Sequence, residues 1–254
     1  MPGASSFWDM TSREKHICLY FADSNGKCID KFSVRSDLFT RWDVHDQPFG
    51  LSVNAAHNVL VTCRTVCKIK EFSSDGDLLR ELTLPDDVTH PYHAIQIPSR
   101  EYIVCFGGPS DAVRGVCKIG LSADGLRVVQ AHAGKPGLSI GQYLSPRHLA
   151  VDDQGFVFVA DNENRSKRVT LLSPTLQYDR VIMSCDQLEG RPSSLHLDVQ
   201  RRLLYVAVSH TFDVSSVVIF RVCFHQCCAP TARLNSEIFS GTDGLNTITV
   251  FVYV

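Results

Sequence analysis

LSPRHLAVDDQGFVFVADNENRSKRVTLLSPTLQYDRVIM, residues Leu144 to Met183, reads as four short strands in succession. Pro146 leads into the first, Arg147 to Val151. Asp152-Asp153-Gln154-Gly155 supplies a turn, and Phe156 to Ala160 follows. A polar loop, Asp161 to Lys167, precedes Arg168 to Leu172. Ser173-Pro174 turns the chain into a last strand, Tyr178 to Met183. Alternating apolar positions mark the strands, and Asp, Asn, Gly and Pro mark the breaks. Four strands in roughly 40 residues is the size of one β-propeller blade. Such a sheet cannot bury both faces alone, so the pattern is expected to recur.

It does recur. Gln47 to Leu84 places Pro48 at the position of Pro146, Asn54 at that of Asp152, and Val59-Leu60-Val61 at that of Val157-Phe158-Val159. Another copy starts at Pro91-Tyr92-His93-Ala94-Ile95, and another at Pro192, with Leu203 to Ala207 and Val217 to Phe220 as its later strands. The four prolines are 43, 55 and 46 residues apart. Complete blades are thus expected over about 47–84, 89–133, 144–183 and 190–222. Ile17 to Val34, with its Ser24-Asn25-Gly26 turn, matches the second half of a blade. The expected fold is all-β: a propeller of four-stranded antiparallel blades over residues 17–222, with five blades or an incomplete six. Residues 1–16 show no periodicity and are expected to be loose. Residues 223–254 diverge from the repeat, with Thr247 to Val254 a candidate closing strand.

With 254 residues and 44% hydrophobic content, the chain can build a large core. A net charge of −2 provides no global field for nucleic acid or anionic lipid. MPGASSFWDM lacks the basic and apolar regions of a signal peptide, and runs such as Ile248 to Val254 are too short to span a bilayer. A soluble, cytoplasmic protein without membrane association is expected. Of the ten cysteines, Cys63, Cys67, Cys105 and Cys117 fall in predicted strands and read as small buried hydrophobes rather than a disulfide framework. The Cys223-to-Cys228 cluster has no common zinc-site spacing.

Pro146-Arg-His-Leu-Ala-Val-Asp, Val157-Phe-Val-Ala-Asp161 and Asn164-Arg165 resemble the NHL repeat. The resemblance is close in Leu144 to Met183, fair in Gln47 to Leu84 and weaker in the other copies. Ser166-Lys167 lengthen the loop relative to the family pattern. NHL domains usually form six-bladed propellers and act mostly as binding platforms, as in the propeller half of TRIM-type ubiquitin ligases. The resemblance therefore implies a non-catalytic scaffold that recognises a protein partner, without a cofactor. This chain carries no RING or B-box cysteine/histidine pattern.

The exposed basic residues expected to serve a partner are Arg165, Lys167, Arg168, Arg201 and Arg202. They also form the patch for an alternative reading, RNA binding through a local basic face. A simpler role for Asp161 and Arg165 is to satisfy backbone groups of their own loop. A second alternative is enzymatic, because NHL-like propellers include a peptide-amidating lyase with histidine-held zinc. His93 and His148 stand two residues after their blade's proline and His196 four after. Three first-strand histidines could converge on one zinc ion. The matching positions of the Gln47 copy are Gly50 and Ser52.

Overall fold

The structure is a computed structural model that describes residues 7–13, 17–108, 110–122, 125–139, 141–184, 186–188, 190–209, 215–222, 236–240 and 246–250. The Cys223-to-Cys228 cluster lies outside the described residues. The chain divides into two compact units, Met1–Lys135 and Pro136–Val254. Each is built from antiparallel meanders, and no helix occurs among the described residues.

The first unit holds three four-stranded sheets. Strands β1 (Phe7–Arg13), β2 (Cys18–Asp23), β3 (Cys28–Ser33) and β4 (Leu38–Asp43) pair in sequence order. So do β5 (Pro48–Val53), β6 (Val59–Cys63), β7 (Lys68–Phe72) and β8 (Leu78–Thr83). The third sheet comprises β9 (His93–Gln96), β10 (Tyr102–Phe106), β11 (Arg114–Ser122) and β12 (Gly125–Gly134). In the second unit, β13 (Pro146–Val151), β14 (Val157–Asp161), β15 (Arg168–Leu172) and β16 (Tyr178–Met183) form one sheet. The last contains β17 (Arg191–Asp198), β18 (Leu203–Ser209) and β19 (Ser215–Arg221), extended by β20 (Ser236–Ser240) and β21 (Asn246–Val250).

Burial follows strand rank. The second strands VLVTC, YIVCF and VFVAD are buried at every position, because both faces of such a strand are covered. The fourth strands LFTRWD and LLRELT are exposed at five of six positions. One cluster joins the first two sheets through Tyr20, Ile29, Leu51 and Val61, with Trp42 packed against it beside Tyr20 and Phe72. A second joins Leu60 and Ile69 to Val104 and Cys117. A third, in the second unit, joins Phe158 and Val169 to Leu204 and Phe220. Cys18, Cys28, Cys63, Cys67, Cys105 and Cys117 are free thiols, and all but Cys67 are buried.

The repeat proline has a structural consequence. Pro48 pairs with Cys63 but Gly50 with Thr62, so the register shifts between them. The same shift separates Pro146 from His148 and Pro192 from Ser194. A proline lacks the N–H a ladder needs, and a bulge absorbs the gap and re-aims the next side chain. The turn residues are equally regular. Asn54 Oδ1 accepts N–H bonds from Ala56 and Asn58, as Asp152 Oδ1 does from Gln154 and Phe156.

The amino-terminal expectations need correction. Residues 7–13, read as part of a loose segment, form β1 and pair with β2 from Phe7↔Asp23 to Arg13↔Cys18. The stretch after Val34, outside the expected half-blade, contains β4. Ile17 to Val34 is therefore the middle of a complete four-stranded blade, not a half-blade needing outside strands. FWDMTSR and LFTRWD lack a clean apolar alternation because large hydrophobics in both, including Phe7, Trp8, Leu38 and Phe39, are exposed. At the other end, β21 runs parallel to β19, from Val217↔Thr247 to Phe220↔Val250.

Candidate active site

In the first unit, three neighbouring first strands bring an acid and a base to the main chain of one residue, Leu51. Gly50 follows the bulge of β5 and has no side chain to hold β9 away. A Cβ there would sit on the carbonyl oxygen of Tyr92 and 2.9 Å from His93 Cα. This close approach lets His93 Nε2 lie 2.9 Å from the carbonyl oxygen of Leu51. A carbonyl only accepts, so Nε2 carries the proton and Nδ1 is the basic nitrogen of the neutral ring. From the other side, Asp9 Oδ2 accepts the N–H of Leu51 at 2.7 Å, and Oδ1 accepts that of Met10 at 2.8 Å. Asp9 Oδ2 and His93 Nε2 stand 3.9 Å apart, with side chains 6% and 3% exposed. That is charge contact rather than a hydrogen bond.

Beside this pair lies an aromatic floor. Trp8 packs on Phe49 with ring centroids 4.6 Å apart, and Phe49 meets Tyr92 edge-on at 5.2 Å. The guanidinium of Arg64 lies 5.6 Å from the Phe49 centroid and 4.8 Å from that of Tyr92. Asp111 accepts from His90 Nδ1 at 2.8 Å and from the N–H of Gly108. Burial pushes the Asp111 carboxyl up, but the bonds from Gly108 and His90 outweigh it and hold it below the ordinary aspartate value.

The second unit has its own first-strand histidine. His148 Nδ1 receives the N–H of Leu195 at 3.2 Å and stands 3.1 Å from the carbonyl of Leu149, while Nε2 lies 3.2 Å from Ser194 Oγ. Both nitrogens are thus engaged in holding the neighbouring strand. The matching position of that blade is Ser194, two residues after Pro192. His196 lies one pleat further along, exposed and beside Tyr205 at 5.9 Å. Of the three histidines expected to hold zinc, His148 contacts main-chain and hydroxyl partners, and His196 is out of register with it within the second unit.

The basic residues lie on separate segments of the second unit. Asn162 Nδ2 donates to the carbonyl of Pro192 at 2.7 Å, which puts the β14–β15 loop beside the start of β17. Arg201 and Arg202 follow the end of β17, nine and ten residues after Pro192. Arg168 is not a free cation. It binds the carbonyls of Leu138, at 3.1 Å, and Gln142, pairs with Asp161 at 3.3 Å, and lies over the Tyr143 ring. Arg165, Arg201 and Arg202 are exposed, and Arg201 pairs with Asp198 at 3.0 Å.

Sequence reading missed Asp9 and Arg64. Asp9 lay in the segment without periodicity, and nothing local marks it. Arg64 did leave a trace. It is the first residue after β6, where the best copy of the repeat has Asn162 after β14.

No family model matches the chain, and no curated protein does. Solved structures do. A gluconolactonase from Xanthomonas campestris matches with a TM-score of 0.66 at 16% identity, covering 85% of this chain and 73% of that one. A streptogramin B lyase matches at 0.56 and 16%, covering 94% and 74%. Virginiamycin B lyase from Staphylococcus aureus matches at 0.55 and 10%, covering 85% and 71%. The fold is a five-bladed all-β propeller. At these identities the likeness establishes the fold, and it does not single out the NHL type. It also overturns the expectation of a non-catalytic scaffold serving a ubiquitin-ligase assembly. Solved propellers that this chain resembles include a lactonase and lyases, so the fold carries no presumption of a passive platform.

No helix among the described residues is long and apolar enough to cross a membrane.

Proposed function

We propose that the chain is a propeller enzyme that hydrolyses a lactone, with Asp9 and His93 as its acid–base pair. The observation carrying this reading is the buried pair held by the N–H and the carbonyl of Leu51, with Asp9 Oδ2 and His93 Nε2 3.9 Å apart. The names of three solved propellers that it resembles, a gluconolactonase and lyases acting on virginiamycin B and streptogramin B, support the reaction class. The NHL-like blade at Leu144 to Met183 is compatible with it, since that family also includes a lyase.

His93 Nδ1 takes a proton from water as its oxygen adds to the acyl carbon. The acyl–oxygen bond breaks, and the released alkoxide recovers the proton, leaving a hydroxy acid. Asp9 stabilises the imidazolium that forms between these steps. At 3.9 Å and an effective dielectric near 20, that attraction is about 4 kcal/mol. The bond to the Leu51 carbonyl fixes the ring and its tautomer.

The purified chain is assayed with glucono-δ-lactone in a pH-indicator format and with virginiamycin B by absorbance. Lactone hydrolysis above the spontaneous rate is expected. His93→Gln should remove at least 100-fold of kcat/KM and Asp9→Asn a comparable amount. Turnover of virginiamycin B alone would move the assignment to the lyase reaction. Turnover of neither, or full activity in His93→Gln, would sink the proposal.

A further inference from the structure

Arg64 departs from the repeat in a way that points to a ligand. Its counterpart after β14, Asn162, holds the next blade by donating to the Pro192 carbonyl. Arg64 makes no such bond. Among the described residues it has no hydrogen-bond acceptor and no carboxylate within ion-pair range, and its Nε is buried without a partner. The guanidinium instead lies over Phe49 and Tyr92. An arginine stacked on aromatic rings keeps its charge and its planar fork, and loses little further entropy when an anion docks.

The surroundings define what can dock. A Cβ on Gly108 would stand 3.0 Å from an Arg64 Nη2, 3.3 Å from Asp111 Oδ2 and 3.3 Å from the His90 ring, so these three groups gather closely around Gly108. Trp8, half exposed, extends the floor through Phe49. Trp8 and Tyr92 directly precede Asp9 and His93, and Phe49 stands two residues before Leu51. The cation therefore sits at the same ends of the same three strands as the acid–base pair.

We infer that Arg64 binds the carboxylate of a singly charged hydroxy acid, or the carbonyl of its lactone, with the carbon skeleton stacked on Trp8 and Phe49. The inference names the substrate class of the proposed site and rests on that reading for turnover, while binding is measured apart from it. A monoanion is specified because Asp111, held ionised by Gly108 and His90, borders the same space. The Arg64 charge offsets one of the two carboxylates then present, and a phosphate dianion would add a further uncompensated negative charge.

The test is calorimetric titration of the full chain with gluconate and, separately, inorganic phosphate, for wild type, Arg64→Ala, Arg64→Lys and His93→Gln. Circular dichroism confirms that each variant is folded. Gluconate should bind wild type at least tenfold more tightly than phosphate. Arg64→Lys, which keeps the charge but not the fork, should weaken gluconate about tenfold, and Arg64→Ala further. His93→Gln should bind within about threefold of wild type. The inference is overturned if wild type does not bind gluconate, if phosphate binds as well, or if both Arg64 variants bind like wild type. Arg64-dependent binding without lactone turnover would defeat the proposed reaction and leave this site standing. Turnover with unaltered binding in the Arg64 variants would do the reverse.

Discussion

Replacing Asp161 by alanine should be among the most damaging changes in the second unit. The carboxylate is fully buried, at 0% exposure. Oδ1 accepts the Ser145 N–H at 2.6 Å, both oxygens lie 3.2 and 3.3 Å from the Leu144 N–H, and Oδ2 pairs with Arg168 at 3.3 Å. Arg168 would keep the Leu138 and Gln142 carbonyls, so it is not orphaned by the change. The two main-chain donors would be. Hydrogen bonds to a charged group contribute about 1.5–3 kcal/mol each, and breaking a buried charge pair costs about 3–5 kcal/mol. A loss of about 3–5 kcal/mol follows, against a total stability on the order of 5–15 kcal/mol. At roughly 2–4 °C per kcal/mol for a chain of this size, the melting temperature should fall by about 6–20 °C. Asp161→Asn keeps one acceptor oxygen for Ser145 and should cost about half as much. Urea unfolding followed by far-ultraviolet circular dichroism gives the free energy, and hydrogen exchange in peptides from β13 to β15 localises it. A loss under about 1 kcal/mol in Asp161→Ala would refute the reasoning, because water would then be replacing the carboxylate in its loop.

Two further substitutions probe the first unit. Gly50→Ala forces a Cβ onto the Tyr92 carbonyl and within 2.9 Å of His93 Cα. It should lower stability by about 1–3 kcal/mol and, by displacing β9 from Leu51, cut lactone turnover about 100-fold; an unchanged melting temperature would show that β9 gives way freely. Glu71 is pushed up by burial, but bonds from Asn58, Arg80 and Asn54 outweigh this and hold its carboxyl below 4.5. Its stabilisation is thus present above pH 4.5 and lost as the pH falls through the lowered folded value. Glu71→Gln should be less stable at pH 7 and should show a shallower loss of stability on acidification below pH 4.5, read from melting curves at stepped pH.

The sequence by itself determined the blades that obey a local rule. In Gln47 to Leu84 and Leu144 to Met183, a proline, an Asx turn and a continuous apolar second strand suffice. Each acts within a few residues: the proline forces the bulge, the Asn or Asp side chain binds N–H groups two and four residues on, and the apolar run marks a strand covered on both faces.

Tertiary structure alone decided the rest. β1 has little pattern of its own, and its edge is fixed by β2 and by the bond from Leu51 to Asp9. The role of Gly50 is visible only once β9 lies against it. Arg168 reads as a surface cation until the carbonyls of Leu138 and Gln142 and the carboxylate of Asp161 surround it. Strand and turn preferences depend on neighbours along the chain and are written in order. An acid–base pair and a buried charge depend on groups from separate strands and loops meeting in space, and their positions are set by how the strands and sheets pack.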